Sequence, residues 1–357
     1  MQQIDMTVNK LPAPTWNRLR MNEAVLAGVS APDGACEASV ELGNMRAALD
    51  GGEMQGVATG MGADMNLLAS VSGTGSEALC FVPEKSGEKS TLAFNFAYEN
   101  GRQNFNRLDI NAAAGSDVTI FMTYASAPEA QGMAAVQTRI NAGAGAKVRL
   151  VQVQLLGRGF LHLNDVGCRL AENAAFEVVQ LQLGAQEIYN GVLASLDGAG
   201  AVFDAAIGYY GRRQQRLDMN FVANHYGKKT VSRITAGGVL QDEAFKLFRG
   251  TIDFKNGAAG AAGDESEDVL LLNEGVVNQS IPLILCSEED VAGNHGASIG
   301  RLDDDLLFYL TSRGFSEAEA MRMMARAKIE AICRRLGDRK MQESVERYLE
   351  GEMRDGE

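Results

Sequence analysis

From Thr91 onward, apolar and polar residues alternate in short runs, among them "TLAFNFA", "VTIFMTY", "KVRLVQVQL", "FEVVQLQL" and "FKLFRGTIDF". A period of two sends successive side chains to opposite faces, so these runs predict strands with two unlike faces. Four of them follow similar small-residue corners: "NAAAGSDV", "NAGAGAKV", "LAENAAFEV" and "LDGAGAVF". Taking Val118, Val148, Phe176 and Val202 as equivalent starts gives a period of roughly 26 to 30 residues, inside the window that implies stacked repeats. A unit of that length with two or three short strands cannot bury its own apolar face, whereas stacked units close both core and backbone hydrogen bonds. The pattern therefore predicts a β-solenoid of about seven coils between Thr91 and about residue 290, roughly 34 Å long at the usual strand spacing. An antiparallel sandwich or jelly roll is the competing architecture. Corners built from Ala and Gly steps, rather than tight Asn-Gly hairpin signals, favour the solenoid.

The pattern differs at both ends. Residues 1–90 show no sustained periodicity; Pro12 and Pro14 in "LPAPTWNRLR" predict an extended stretch before the single tryptophan, in a small lead-in domain. "NGAAGAAGDESED" joins a small-residue run to polar and acidic residues and reads as an exposed loop. After Arg301 the spacing becomes helical. Leu302, Leu306, Tyr309 and Leu310 share a face, with acids in the first turn and Gly314 at the end. Ser316 and Glu319 form a capping-box pattern, with Phe315 placed to staple onto Ala320. Met321, Met324, Ala325, Ile329, Ile332 and Leu336 then recur at helical spacing up to Gly337, and a third helix carries Met341, Val345, Tyr348 and Leu349. The expected organisation is mainly β: a lead-in domain over 1–90, a solenoid over 91–300 and a C-terminal α-helical subdomain over 301–357.

Composition narrows the function. With 357 residues, 46% of them hydrophobic, the chain can bury one large or two medium cores. A formal net charge of -13 with no basic stripe opposes binding to nucleic acid. The first residues lack a basic segment followed by an apolar run, and no stretch approaches the roughly 20 apolar residues of a membrane span. A cytoplasmic location is expected. Cys36, Cys80, Cys168, Cys286 and Cys333 include no C-x-x-C pair, so reduced thiols are the default.

Two nucleotide-binding look-alikes fail on spacing. In "HYGKKT" the position five residues before Gly227 is Val222 instead of Gly, and "GTGSEA" at Gly73 is followed by no helical pattern and reads as a turn. His162, His225 and His295 are isolated, with no H-x-x-x-H and no nucleophile elbow, so no catalytic arrangement is indicated. Cys286 and His295 lie nine residues apart, but a metal needs about four ligands, so the pair would need help from elsewhere. As residues alone, Asn294-His295-Gly296 reads as a tight turn joining the last strand to the first helix, and Cys286 as a small buried hydrophobe.

The segment "GNHGASIGRLDDDLLFYLTSRGFSEAEA" resembles the SufB/SufD family of iron-sulfur cluster assembly proteins, in which a Cys-Ser-His-Gly-Ala-Thr-type turn precedes a "FYL-x-SRG" helix. "NHYGKKTVSRITAGGVLQDEAFKLFRGTIDF", "LLLNEGVVNQSIPLIL" and "LPAPTWNRLR" are similar to further elements of that family. Apart from the last of these, the likeness runs with gaps from about Asp218 to the C-terminal helices. The chain departs from the pattern at Gly293, where the family often has Cys, and in "NGAAGAAGDESED", which replaces a Gly-Ala-Gln-Lys-Thr-type stretch.

The resemblance implies a right-handed parallel β-helix and a non-enzymatic scaffold of the SufD kind, Gly296 standing where SufB proteins typically carry Glu. It implies pairing with a SufB-like protein through the β-helix, and with a SufC-like ATPase through the C-terminal helices, where Leu306, Leu307, Phe308, Tyr309, Arg313, Met321 and Met324 are the candidate contacts. His295 would serve cluster assembly beside a SufB cysteine, with Cys286 a weaker candidate ligand. No cofactor is expected to stay on this chain alone; iron or an iron-sulfur cluster would pass transiently through the partner interface. A self-paired, SufB-like homodimer is the alternative in the same class. A carbohydrate-active β-helix enzyme is the alternative in another.

Overall fold

The alternating runs form parallel ladders wound into a β-solenoid of about eight turns. The computed structural model describes residues 2–48, 54, 56–71, 79–84, 87–301 and 304–354. "GTGSEA", Leu302 and Asp303 lie outside the described residues. The first elements are β1 (Gln3–Val8), β2 (Ala24–Ser30), β3 (Ala38–Gly43), β4 (Met45–Ala48), helix α1 (Met65–Val71) and β5 (Leu79–Pro83). The winding continues as β6 (Lys89–Tyr98), β7 (Gln103–Ala112), β8 (Asp117–Ser126), β9 (Gln131–Ala142), β10 (Lys147–Leu155), β11 (Gly159–Leu170), β12 (Ala175–Gln182) and β13 (Glu187–Leu196). It ends with β14 (Val202–Gly211), β15 (Arg216–His225), β16 (Val231–Leu240), β17 (Phe245–Phe254), β18 (Ala261–Leu271), β19 (Val277–Cys286) and β20 (Val291–Arg301). Helices α2 (Asp304–Ser312), α3 (Glu317–Cys333) and α4 (Arg339–Arg354) follow.

Even-numbered strands from β6 to β20 stack in parallel as one sheet and odd-numbered strands from β5 to β19 as the other; β3 and β4 close the two sheets antiparallel at the first end. The repeat is legible in single columns. Ser90, Val118, Val148, Phe176, Phe203, Ser232, Gly263 and Gly293 are successive register partners. The expected fourth start, Val202, is displaced by one: Phe203 is the inward residue, stacked on Phe176 at 5.6 Å, while Val202 is 39% exposed. Such a slip exchanges the faces of a strand, so the coil from Phe176 closes on Phe203, one position later than the corner alone suggests.

Two coverings explain why the middle strands are buried on both faces while β8 and β18 keep strict alternation. On the odd sheet, β1, β2 and α1 lay Met6, Val8, Leu26, Met65 and Leu68 over Phe105, Met133, Leu163 and Tyr189. The lead-in region thus holds short strands and a helix rather than irregular chain. On the even sheet, Ala325, Ile329, Leu336, Met341, Val345 and Leu349 of the C-terminal segment pack on Val151, Val179, Leu181 and Val239. Each fully buried Val, Leu or Ile side chain in that seam contributes about 1.5–3 kcal/mol. Arg335 adds ion pairs to Glu177 at 3.2 Å and Asp204 at 2.8 Å.

The capping and stop signals of the helices hold as expected. Ser316 caps α3 with Glu319 reciprocating at 2.7 Å, and Gly314 and Gly337 adopt positive φ after α2 and α3. "NGAAGAAGDESED" is not an exposed loop: only its start turns the corner, and Ala261–Leu271 forms strand β18, with Glu265 and Glu267 buried. Ladder pairing to β16 and β20 overrides the low strand propensity of Gly, Asp and Glu there.

Candidate functional site

The solenoid has an open end. β19 and β20 close the two sheets and, among the described residues, each pairs on one side only, with β17 and β18. His295 lies in the middle of β20, so the expected tight turn is corrected to a strand position. The dipeptide signal for a turn loses because Val291–Arg301 continues the parallel ladder without a break, pairing residue by residue with β18.

Register fixes which way His295 faces. Its column descends through Glu265, Ile234, Ala205, Val178, Leu150, Ile120 and Leu92. Partners in a parallel ladder share a face, and every residue of this column below His295 is buried. His295 therefore stands on the inward line, exposed because, among the described residues, no further coil covers it. Gly293 confirms the orientation: a Cβ there would sit 3.1 Å from Phe254 and 3.2 Å from Ile284. A cysteine at 293 would press on that pair, which gives a packing reason for glycine.

Beneath His295 the apolar lining gives way to charge. Glu265 is 4% exposed, and its Oε2 has no hydrogen-bond partner among the described residues. Gly250 faces it across the lumen, so close that a Cβ would lie 2.3 Å from the carboxyl carbon. Burial, reinforced by repulsion from Glu267 and opposed by Lys246, pushes the Glu265 carboxyl up to about 8. One step along, Glu267 accepts hydrogen bonds from Lys246, from Ser280 and from the Tyr209 hydroxyl at 3.1 Å. Lys246 also donates to Ser280 at 3.0 Å. Burial pulls the Lys246 ammonium below its usual range, and Glu267 pulls it back.

Cys286 ends β19, exposed, so it is not the buried hydrophobe expected. It is the register partner of the buried Phe254, but no described strand continues the ladder over it. Nor does it share a cluster with His295. Facing pairs run antiparallel across the lumen, Gly250 opposite Glu265 and Ile252 opposite Gly263. Cys286 accordingly faces the start of β20, about 13 Å of extended chain from His295. Among the described residues no group of three or more His, Cys, Asp or Glu is placed to hold a metal ion.

The other two histidines are core residues. His225 meets the Thr230 and Ser232 hydroxyls, each at 2.8 Å, and His162 meets the Ala134 carbonyl at 3.0 Å. Desolvation lowers both to about 4, which keeps them neutral. On α2, Leu306, Phe308 and Tyr309 are exposed and Leu307 is half-buried; Arg313, in the turn that follows, is exposed and lies 5.2 Å from the Tyr309 ring centre. Met321 and Met324 of α3 are half-buried, and Met321 packs into the seam with the solenoid. Sequence reading missed Glu265, Glu267 and Lys246. The signal was present: Glu265 precedes His295 by one coil of the repeat, and Gly263, Glu265, Glu267 and Val269 alternate along one face.

The model of the SUF system FeS cluster assembly SufBD core domain matches residues 95–328, a span running from β6 into α3. The chain belongs to the SufBD family. Iron-sulfur cluster assembly protein SufD of Bacillus subtilis is 27% identical over 250 residues, 69% of this chain and 57% of that protein. Two iron-sulfur cluster assembly SufBD family proteins of Mycobacterium tuberculosis are 25% identical over 191 residues and 26% over 201 residues, each covering 54% of this chain. These matches take in 23% and 51% of the two mycobacterial proteins, so the chain spans between about a quarter and just over half the length of these relatives. The SufBD core thus ends at the C-terminal seam and contains the whole open end. No described helix is long and apolar enough to cross a membrane.

Proposed function

We propose that this chain is a SufD-like scaffold of a SufB-SufC-SufD complex that assembles iron-sulfur clusters, non-enzymatic itself and driven by the SufC ATPase in the cytoplasm. The observation that carries the reading is the position of His295, an exposed imidazole on the inward line of an edge strand. One chain supplies one strong ligand there; iron and cluster are cargo, and the remaining ligands come from the partner. A neutral imidazole ligates through one ring nitrogen while the other is oriented by a hydrogen bond.

Two further features support it. Among the described residues the outer edges of β19 and β20 have no strand partner, which suits extension by strands of a SufB-like protein. The exposed aromatic face of α2, with Phe308 74% exposed, suits an ATPase subunit. Those same strand edges favour a second reading, a self-paired homodimer when the chain is alone. Co-expression with SufB-like and SufC-like proteins tests the assignment. A stable three-component complex is expected; a chain that purifies as a homodimer and takes up cluster colour alone after anaerobic reconstitution contradicts it.

A further inference from the structure

The six column positions below Glu265, from Leu92 to Ile234, are all apolar, so the solenoid needs no carboxyl there for packing. A buried carboxyl without a partner lowers stability. Glu265 nevertheless has room made for it: Gly250 lacks the Cβ that would occupy the space of its carboxyl group. Among the described residues its Oε2 has no hydrogen-bond partner, in a side chain 4% exposed, and its register partner is His295, one strand spacing away on the same inward line. The neighbouring charges are already matched, because Glu267 takes up Lys246 and Ser280. Glu265 is left as the carboxyl not engaged in that network.

We propose that Glu265 and His295 form a two-ligand half-site for a divalent cation of the iron class, with carboxylate oxygen from one strand and imidazole nitrogen from the next. Water or a partner's side chains complete the coordination. The inference rests on the scaffold reading above and adds to it a second ligand, placed inside the last coil. A borderline cation accepts such a mixed oxygen and nitrogen set. Spacing agrees, since adjacent strands lie about 4.8 Å apart and both side chains project to the same side.

Cobalt(II) is the probe, titrated anaerobically into the full chain and followed by its visible absorption, with thermal melting measured on the same samples. Wild type is expected to bind, and Glu265→Gln and His295→Ala each to weaken binding at least tenfold, the double variant little more than either. Glu265→Leu restores the apolar character of the column, so it is expected to melt higher than wild type while losing binding. A Glu265→Leu protein that melts lower and binds as wild type overturns the proposal and makes Glu265 structural. No cobalt binding by wild type also overturns it. Loss in His295→Ala with none in Glu265→Gln overturns the proposal but leaves the scaffold reading standing. Unchanged binding in both variants overturns it and removes the direct support for His295 as a ligand as well.

Discussion

Asp218 and Arg249, both without solvent exposure, are joined on the outer face of the odd sheet by hydrogen bonds from both terminal guanidinium nitrogens, the longer at 3.3 Å. The N-terminal segment seals the pair: Asn9 donates to the Asp218 carboxylate at 2.8 Å, and the Met21 carbonyl accepts from Arg249 at 2.7 Å. The lead-in region is thereby keyed to a charge pair on β15 and β17, far along the chain. Removing one partner strands the other charge in a buried site. Asp218→Ala is expected to cost about 3–5 kcal/mol, with faster proteolysis before β3; denaturant melts and limited proteolysis read both.

The corrected start of the fourth repeat has a direct test. Phe203→Ala empties a core position and is expected to cost about 3–5 kcal/mol, whereas Val202→Ala, on the outer face, is expected to stay within about 0.5 kcal/mol of wild type. Equal losses at the two positions would argue against the register.

The repeat and the helices were legible in the sequence because corners, caps and periodicity are local signals. Alternation with Ala and Gly corners gave the solenoid; Ser316, Glu319 and Gly337 marked α3. What escaped depends on neighbours distant in sequence. β18 reads as a loop because its charges look solvent-bound until β16 and β20 are placed beside it. His295 reads as a turn for the same reason, and β3 to β5 are too short to show a period, their partners being the first coil. The exposure of Cys286 follows from the solenoid stopping, which no local pattern announces.

Acid should loosen the fold through His225. The unfolded imidazole titrates near 6.5 and the buried one near 4, so across that window the unfolded chain holds a proton that the folded chain excludes. Stability from this group is present above about pH 6.5 and falls as the pH drops toward 4, by on the order of 1 kcal/mol per unit. His225→Asn lacks this titration, so its stability is expected to approach that of wild type as the pH is lowered from 7 to 4. Denaturant melts at fixed pH values measure the difference, and parallel curves would contradict it.

The α2 face separates docking from folding. Phe308 is 74% exposed and Tyr309 52%, so Phe308→Asp with Tyr309→Asp is expected to leave thermal stability within about 0.5 kcal/mol while abolishing co-purification of a SufC-like ATPase. Retained association would move the ATPase contact elsewhere.

His295 carries the account, and its exposed position makes it separable from the fold. The most direct measurement is cluster formation by the complete three-component complex under anaerobic conditions, wild type against His295→Ala, followed by visible absorption with melting temperature and complex mass as controls. The account predicts an intact complex with unchanged melting and at least a tenfold loss of cluster. Wild-type cluster formation by His295→Ala, or a variant that fails only because it unfolds, would contradict it.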